Sequence, residues 1–131
     1  MAGFLDDEWL AELEAALVGL GARGSGSGVV QFVVTGVPER KKVQFHVRAE
    51  DGAVREVRPG VDGRPSCVVT LDHAVAAAEL SGAADPDVSF MSGAKKVEGE
   101  YAVYLLDLQP LMGDAVARRA LAELAARSAD G

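Results

Sequence analysis

Few residues in this chain stand where catalysis would need them. His46 falls among Lys42, Gln44 and Arg48 at alternating positions, the pattern of a solvated strand face, and His73 opens a short helix. No Cys/His or Asp/His set has metal-site spacing. Cys67, the single cysteine, alternates with Val69 and Leu71 and should point into a core, where a thiol behaves as a small hydrophobe. His73 lies across a strand end and a helix start from it, a poor arrangement for a Cys–His nucleophile. Serines occur without a G-x-S-x-G elbow. The run Gly24-Ser25-Gly26-Ser27-Gly28 lacks the terminal Gly-Lys-Ser/Thr of a phosphate loop. It also precedes a strand instead of following one, so it reads as a connector. Glu98 and Glu100 read as surface carboxylates, and Arg40-Lys41-Lys42 as a solvated turn. The expectation is a protein with no catalytic residue, no metal and no cofactor: not an enzyme.

Composition narrows the partners. The chain has 131 residues, 49% hydrophobic and 25% charged, with a net charge of −7. Residues 1–131 fit one domain with a real core. An acidic balance disfavours nucleic acid and anionic lipid, both of which call for basic surfaces. A lone cysteine fits a reducing compartment, and the acidic start, Asp6-Asp7-Glu8, is unlike a signal peptide. A cytoplasmic location is therefore expected. The longest uncharged stretch, Gly24 to Pro38, is too short and polar to cross a bilayer, so no stable membrane insertion is expected. The absence of isoleucine and asparagine, with nine arginines to four lysines, suggests a GC-rich bacterial genome.

The elements that must position any site are legible as patterns. Trp9, Leu10, Leu13, Leu17 and Leu20 recur at three- and four-residue spacing, predicting an amphipathic helix over 5–20. Its acidic polar face is wrong for docking to an anionic membrane. Val30, Phe32 and Val34, then Val43, Phe45 and Val47, alternate with polar residues, predicting strands over 29–35 and 42–48. Asp51-Gly52 signals a hairpin into a strand over 53–58. A fourth strand is expected over 66–71. Asp72 should cap a helix over 73–81 that ends at Gly82, and Asp85-Pro86 a helix over 86–92. A fifth strand follows over 95–98. A helix carrying Tyr101, Tyr104, Leu105 and Leu108 is expected to break at Pro110, before a last helix over 114–128 that buries Ala117, Leu121 and Leu124. Helices gathered around a mainly antiparallel sheet make an α+β domain.

From Ser66 onward the chain resembles the sterol carrier protein-2 family of small lipid-binding domains. The carrying residues are Cys67 to Asp72, the Gly82 to Pro86 turn, and Phe90-Met91-Ser92-Gly93-Ala94-Lys95-Lys96-Val97-Glu98-Gly99. The match is specific in order and spacing over 66–108 and looser over 5–65. The C-terminal helix, 113–128, lies outside it. The resemblance implies a five-stranded sheet, order 3-2-1-4-5, covered on one face by helices, with an apolar tunnel between them. It also implies non-catalytic binding and transfer of a fatty acid, fatty acyl-CoA or sterol-like lipid.

On that footing the expected wall comprises Phe32, Val34, Phe45, Val69 and Leu71 from the sheet, with Phe90, Met91, Val97, Leu105, Leu108 and Met112 beside them. Tyr101 and Tyr104 join the wall and could orient a headgroup. Lys95 departs from the family, where an apolar residue is common. It either snorkels out at the sheet edge or meets a ligand carboxylate or phosphate at the tunnel mouth. The alternative function is an interaction module whose tunnel is filled or closed, with Leu121 and Leu124 as the filling. The apolar stripe of the last helix leaves a homodimer open.

Overall fold

The computed structural model describes residues 4–129. Five strands form one sheet: β1 (Gly28–Val37), β2 (Lys41–Glu50), β3 (Ala53–Pro59), β4 (Cys67–Asp72) and β5 (Lys95–Gly99), in the spatial order β3-β2-β1-β4-β5. The order is the one expected. The sheet is mixed, because β1 and β4 run parallel while the other three pairs are antiparallel. Six helical elements accompany it: α1 (Asp7–Val18), α2 (His73–Leu80), α3 (Pro86–Met91), a π-helical segment (Val103–Leu108), α4 (Gln109–Gly113) and α5 (Ala115–Ala129).

Alternation decides which face of the sheet is dry. Val30, Phe32 and Val34 of β1, Phe45 and Val47 of β2, and Cys67, Val69 and Leu71 of β4 are buried on one face. Register carries that face across the sheet. Phe45, Phe32, Val69 and Val97 form one row, and Val43, Val34, Leu71 and Lys95 the next. On the opposite face Gln31 is buried as well, beneath the loop after β3. Its amide donates to the carbonyls of Phe45 and Gly60 and accepts the Asp62 N–H, so every polar atom is partnered.

Turn and cap chemistry sets the element ends. Asp51 and Gly52 both take positive φ, +50° and +77°, as a two-residue hairpin requires. Asp72 Oδ1 accepts the Val75 N–H at 2.8 Å, and Asp85 Oδ1 accepts the Asp87 N–H ahead of Pro86 in the first turn of α3. α1 lies over β3, where Glu14 Oε2 accepts the Val57 N–H of that edge strand at 2.9 Å. α5 packs across α1, α2 and α4 and buries Ala117, Leu121 and Leu124 as expected.

Pro110 does not end its helix, a correction to the sequence reading. The chain coils continuously from Tyr101 to Gly113 through the π-helical segment. There the Gln109 N–H reaches back five residues to the Tyr104 carbonyl. The wider turn changes the hydrogen-bond register just before Pro110, which has no N–H to lose and sits in the first turn of α4.

Gly82 supplies a test of this packing. It holds φ +77°, and a Cβ there would lie 2.3 Å from the Arg118 carbonyl oxygen of α5. Gly60, at φ +91°, has open space around its would-be Cβ. Gly82→Ala should therefore destabilise by more than the ~1–2 kcal/mol of backbone strain expected for Gly60→Ala. Urea midpoints of the two variants compare them directly, and equal losses would mean that α5 does not press on this turn.

Candidate functional site

Between the dry sheet face and its helical cover lies a narrow cavity. Phe32, Val34, Phe45 and Leu71 form its floor. Ala76, Glu79 and Leu80 of α2, Pro86 of α3, Tyr104 of the π-helical segment, Gln109 and Met112 of α4, and Leu121 of α5 form the remaining wall. Its volume is about 20 Å³, room for about one water molecule. Aromatic rings shape the floor: Phe32 stacks on Phe45 at 5.0 Å between centroids and meets Tyr104 edge-on at 6.0 Å.

Polar side chains converge beside this gap. Lys95, on the dry face of β5, donates from Nζ to Glu79 Oε1 at 3.0 Å and to the Tyr104 hydroxyl. The Lys95 side chain has no solvent exposure and that of Glu79 has 8%. Burial pushes the Glu79 carboxyl up, with Lys95 and a weaker contribution from the Ser89 hydroxyl acting the other way. Burial likewise pushes the Lys95 ammonium down against the pull of Glu79, and it raises the Tyr104 phenol above its ordinary value. Glu79 Oε2 meets no donor in hydrogen-bonding geometry, nor does Gln109 Oε1. The Gln109 amide nitrogen donates to Asp87 Oδ1.

The expected wall is brought together only in part. Phe32, Val34, Phe45, Leu71, Tyr104 and Met112 line the cavity. Val69 and Leu108 are buried in the surrounding core, with Val97 and Leu105 partly buried against it, and Phe90 is half-buried. Met91 and Tyr101 are corrections. At 83% and 60% exposed they lie on the outer surface and cannot form a tunnel wall. Helical spacing relates Tyr101 to Tyr104, but Tyr101 stands at the exposed start of the coil and Tyr104 inside the wider π-helical segment. Lys95 is the larger correction. It neither snorkels nor waits for a ligand anion, because Glu79 already partners it inside the protein.

Sequence reasoning missed Glu79 and Gln109. Glu79 has a readable signal, as the sole acid within the otherwise apolar His73–Leu80 helix, on the same face as Ala76. Gln109 offers none beyond its place before Pro110. Cys67 is 2% exposed and burial raises its thiol, the opposite of an activated nucleophile. His46 Nδ1 lies 3.3 Å from the Gly60 carbonyl, and His73 packs edge-on against Phe4. Among the described residues no group of three or more His, Cys, Asp or Glu is placed to hold a metal, and no helix is long and apolar enough to cross a membrane.

Comparison with known proteins agrees with this architecture. The SCP-2 sterol transfer family matches residues 10–112, most of the chain. The protein belongs to that family. The SCP-2 fold is shared with solved structures at low identity. A conserved hypothetical protein from Thermus thermophilus, described as possibly a sterol carrier protein, superposes with a TM-score of 0.73 at 16% identity, over 93% of this chain and 90% of the other. A sterol carrier protein 2 gives 0.67 at 18%, over 94% and 97%. Palmitated SCP2L2 from Aedes aegypti gives 0.62 at 19%, over 79% and 92%. No curated protein matches the chain.

The Lys95–Glu79 pair makes a stability prediction. Glu79→Ala strands a buried ammonium and should cost about 3–5 kcal/mol, whereas Glu79→Leu combined with Lys95→Met should cost far less or stabilise. Chemical denaturation of the single and double variants measures the coupling. Additive losses would show that the two side chains are not a pair in solution.

Proposed function

We propose that this protein is a non-catalytic carrier that binds and transfers one long apolar ligand, a fatty acyl or sterol-like lipid, between the sheet and its helical cover. The observation that carries the reading is the cavity itself, with its apolar floor and a polar cluster in its wall, in a chain of the SCP-2 family. Such a site needs no reactive group. An acyl chain gains about 0.8 kcal/mol for each methylene taken from water, several kcal/mol for a twelve-carbon tail before ordering costs.

At about 20 Å³ the cavity must open to take such a tail. The cover is suited to that. Its α3 is a helix of only six residues, and the coil from Tyr101 to Gly113 changes hydrogen-bond register at its π-helical segment. A helix as short as α3 depends on its cap and tertiary contacts, and a break in helical register weakens the coil that follows, so this part of the fold costs least to displace. The floor is a hydrogen-bonded sheet and stays in place. Met112 at the wall can adapt its shape to what enters. The carrier acts in the cytoplasm and uses no cofactor.

One observation favours a second reading. Leu121 of α5 reaches the cavity wall and the remaining space is small. This is half of what a filled, ligand-free interaction module requires. Leu124, the other candidate filler, is buried but does not line the cavity. In the module reading the last helix is a structural plug and the partner is another protein or a second copy of the chain.

Solvent extraction of the purified protein, with mass measurement of the extract, separates the two. A homogeneous lipid, together with displacement of a bound fluorescent long-chain probe by competing lipids, is the carrier's expected result. A dry protein that takes up no probe is the module's. Incubation with acyl-CoAs should give no turnover. Steady turnover that disappears in Cys67→Ala would overturn the non-catalytic reading.

A further inference from the structure

We propose that the ligand of this site presents a hydrogen-bond-donating head, a hydroxyl or an amine, to the free oxygens of Glu79 and Gln109, and that carboxylate and phosphate heads are disfavoured. The proposal rests on the carrier reading and names its ligand class.

The first support is a pair of acceptors without donors in the same cavity wall. Gln109 is 4% exposed, and its amide nitrogen donates to Asp87 Oδ1. An ionised carboxylate can only accept, so that contact fixes the amide orientation and leaves Oε1 as the free atom. Glu79, 8% exposed, gives Oε1 to Lys95; Oε2 meets no donor in hydrogen-bonding geometry, and the Ser89 hydroxyl acts on the carboxylate only weakly. A buried acceptor without a partner is a penalty that a hydroxyl or ammonium removes and a carboxylate does not. A water molecule fits the present volume, and a ligand hydroxyl that displaces it can make the same bonds.

The second support is the approach. A hollow of about 210 Å³ lies outside the cavity, lined by Asp85, Asp87 and Asp114 together with Pro110 and Gly113. Pro86 and Gln109 line both spaces and so form the partition between them. No basic side chain lines the hollow. Arg23 pairs with Asp114 and donates to the Leu111 carbonyl, which offsets one of the three acids. An anion passing this way meets like charge, and beyond the partition it meets Glu79. Lys95, the base of the inner cluster, is fully buried, already donates to Glu79 and Tyr104, and does not line the cavity. An ammonium or a neutral hydroxyl meets no such opposition.

The experiment is displacement of a fluorescent long-chain probe at pH 7 by four ligands with the same twelve-carbon chain: the alcohol, the primary amine, the carboxylic acid and its methyl ester. The alcohol and amine are expected to bind about tenfold or more tightly than the acid and the ester. Gln109→Leu should weaken the alcohol severalfold and leave the ester unchanged. Asp87→Asn, at an exposed position, should narrow the gap between acid and alcohol even if Gln109→Leu fails to fold. An acid that binds as tightly as the alcohol overturns the proposal and leaves the carrier standing. So does an alcohol preference untouched in both variants, which would place the selectivity elsewhere. If none of the four binds, the carrier reading falls and this proposal with it.

Discussion

A charge pair held out of water is the constraint around which sheet and cover are arranged. Lys95 comes from the edge strand β5, Glu79 from α2 and Tyr104 from the π-helical segment, and they meet beside a mostly apolar gap. Each ion buried at such a place costs several kcal/mol, and only close geometry offsets it. Burial outweighs mutual attraction for both groups, raising the carboxyl and lowering the ammonium. α2, β5 and the cover therefore cannot slide past one another without leaving a charge alone. A core of leucine and valine would tolerate such sliding far more readily. The pair fixes the register of three elements and leaves one carboxylate oxygen over.

Rigidity is distributed unevenly around the gap. The floor is a sheet in which β1 is hydrogen-bonded on both sides, to β2 and β4. Its edge at β3 is tied to α1 through Glu14, which accepts the Val57 N–H and pairs with Arg58. The cover is helical, joining the six-residue α3 and the Tyr101–Gly113 coil, with its π-helical irregularity, to α2 and α5. A firm floor beneath a helical cover is what a cavity needs if it is to open without unfolding the domain. The same division explains why the polar groups sit where they do. They lie at the junction of floor and cover.

Much of the fold was legible because its causes are local. Alternation at Val43, Phe45 and Val47 marked the wet and dry sheet faces, and Asp51-Gly52, Asp72, Gly82 and Asp85-Pro86 marked turns and caps through the backbone geometry those residues favour. The site was legible only where it belongs to the sheet. Phe32, Val34, Phe45 and Leu71 follow from strand period, and the resemblance in order and spacing supplied the idea of a gap above them. The cover resisted. Helical period extrapolated through Tyr101, Tyr104, Leu105 and Leu108 assumes a uniform turn, and the π-helical segment breaks that uniformity, leaving Tyr101 outside and Tyr104 within. Met91 sits on a helix of six residues, too short for its spacing to identify a buried face.

What the sequence by itself determined is the strands, the capped helices, their order along the chain and the dry face of the sheet, because each of these is a matter of neighbours along the chain: side-chain alternation, a cap three residues from its N–H, a glycine where φ must be positive. What only the tertiary structure decided is the fate of the charges and the size of the gap. Lys95 and Glu79 are separated by a helix, a turn and the start of a strand, and whether an ammonium snorkels or is buried depends on which carboxylate the fold carries to it. The volume left over depends on how far Leu121 and Met112 reach across a space that no local pattern describes.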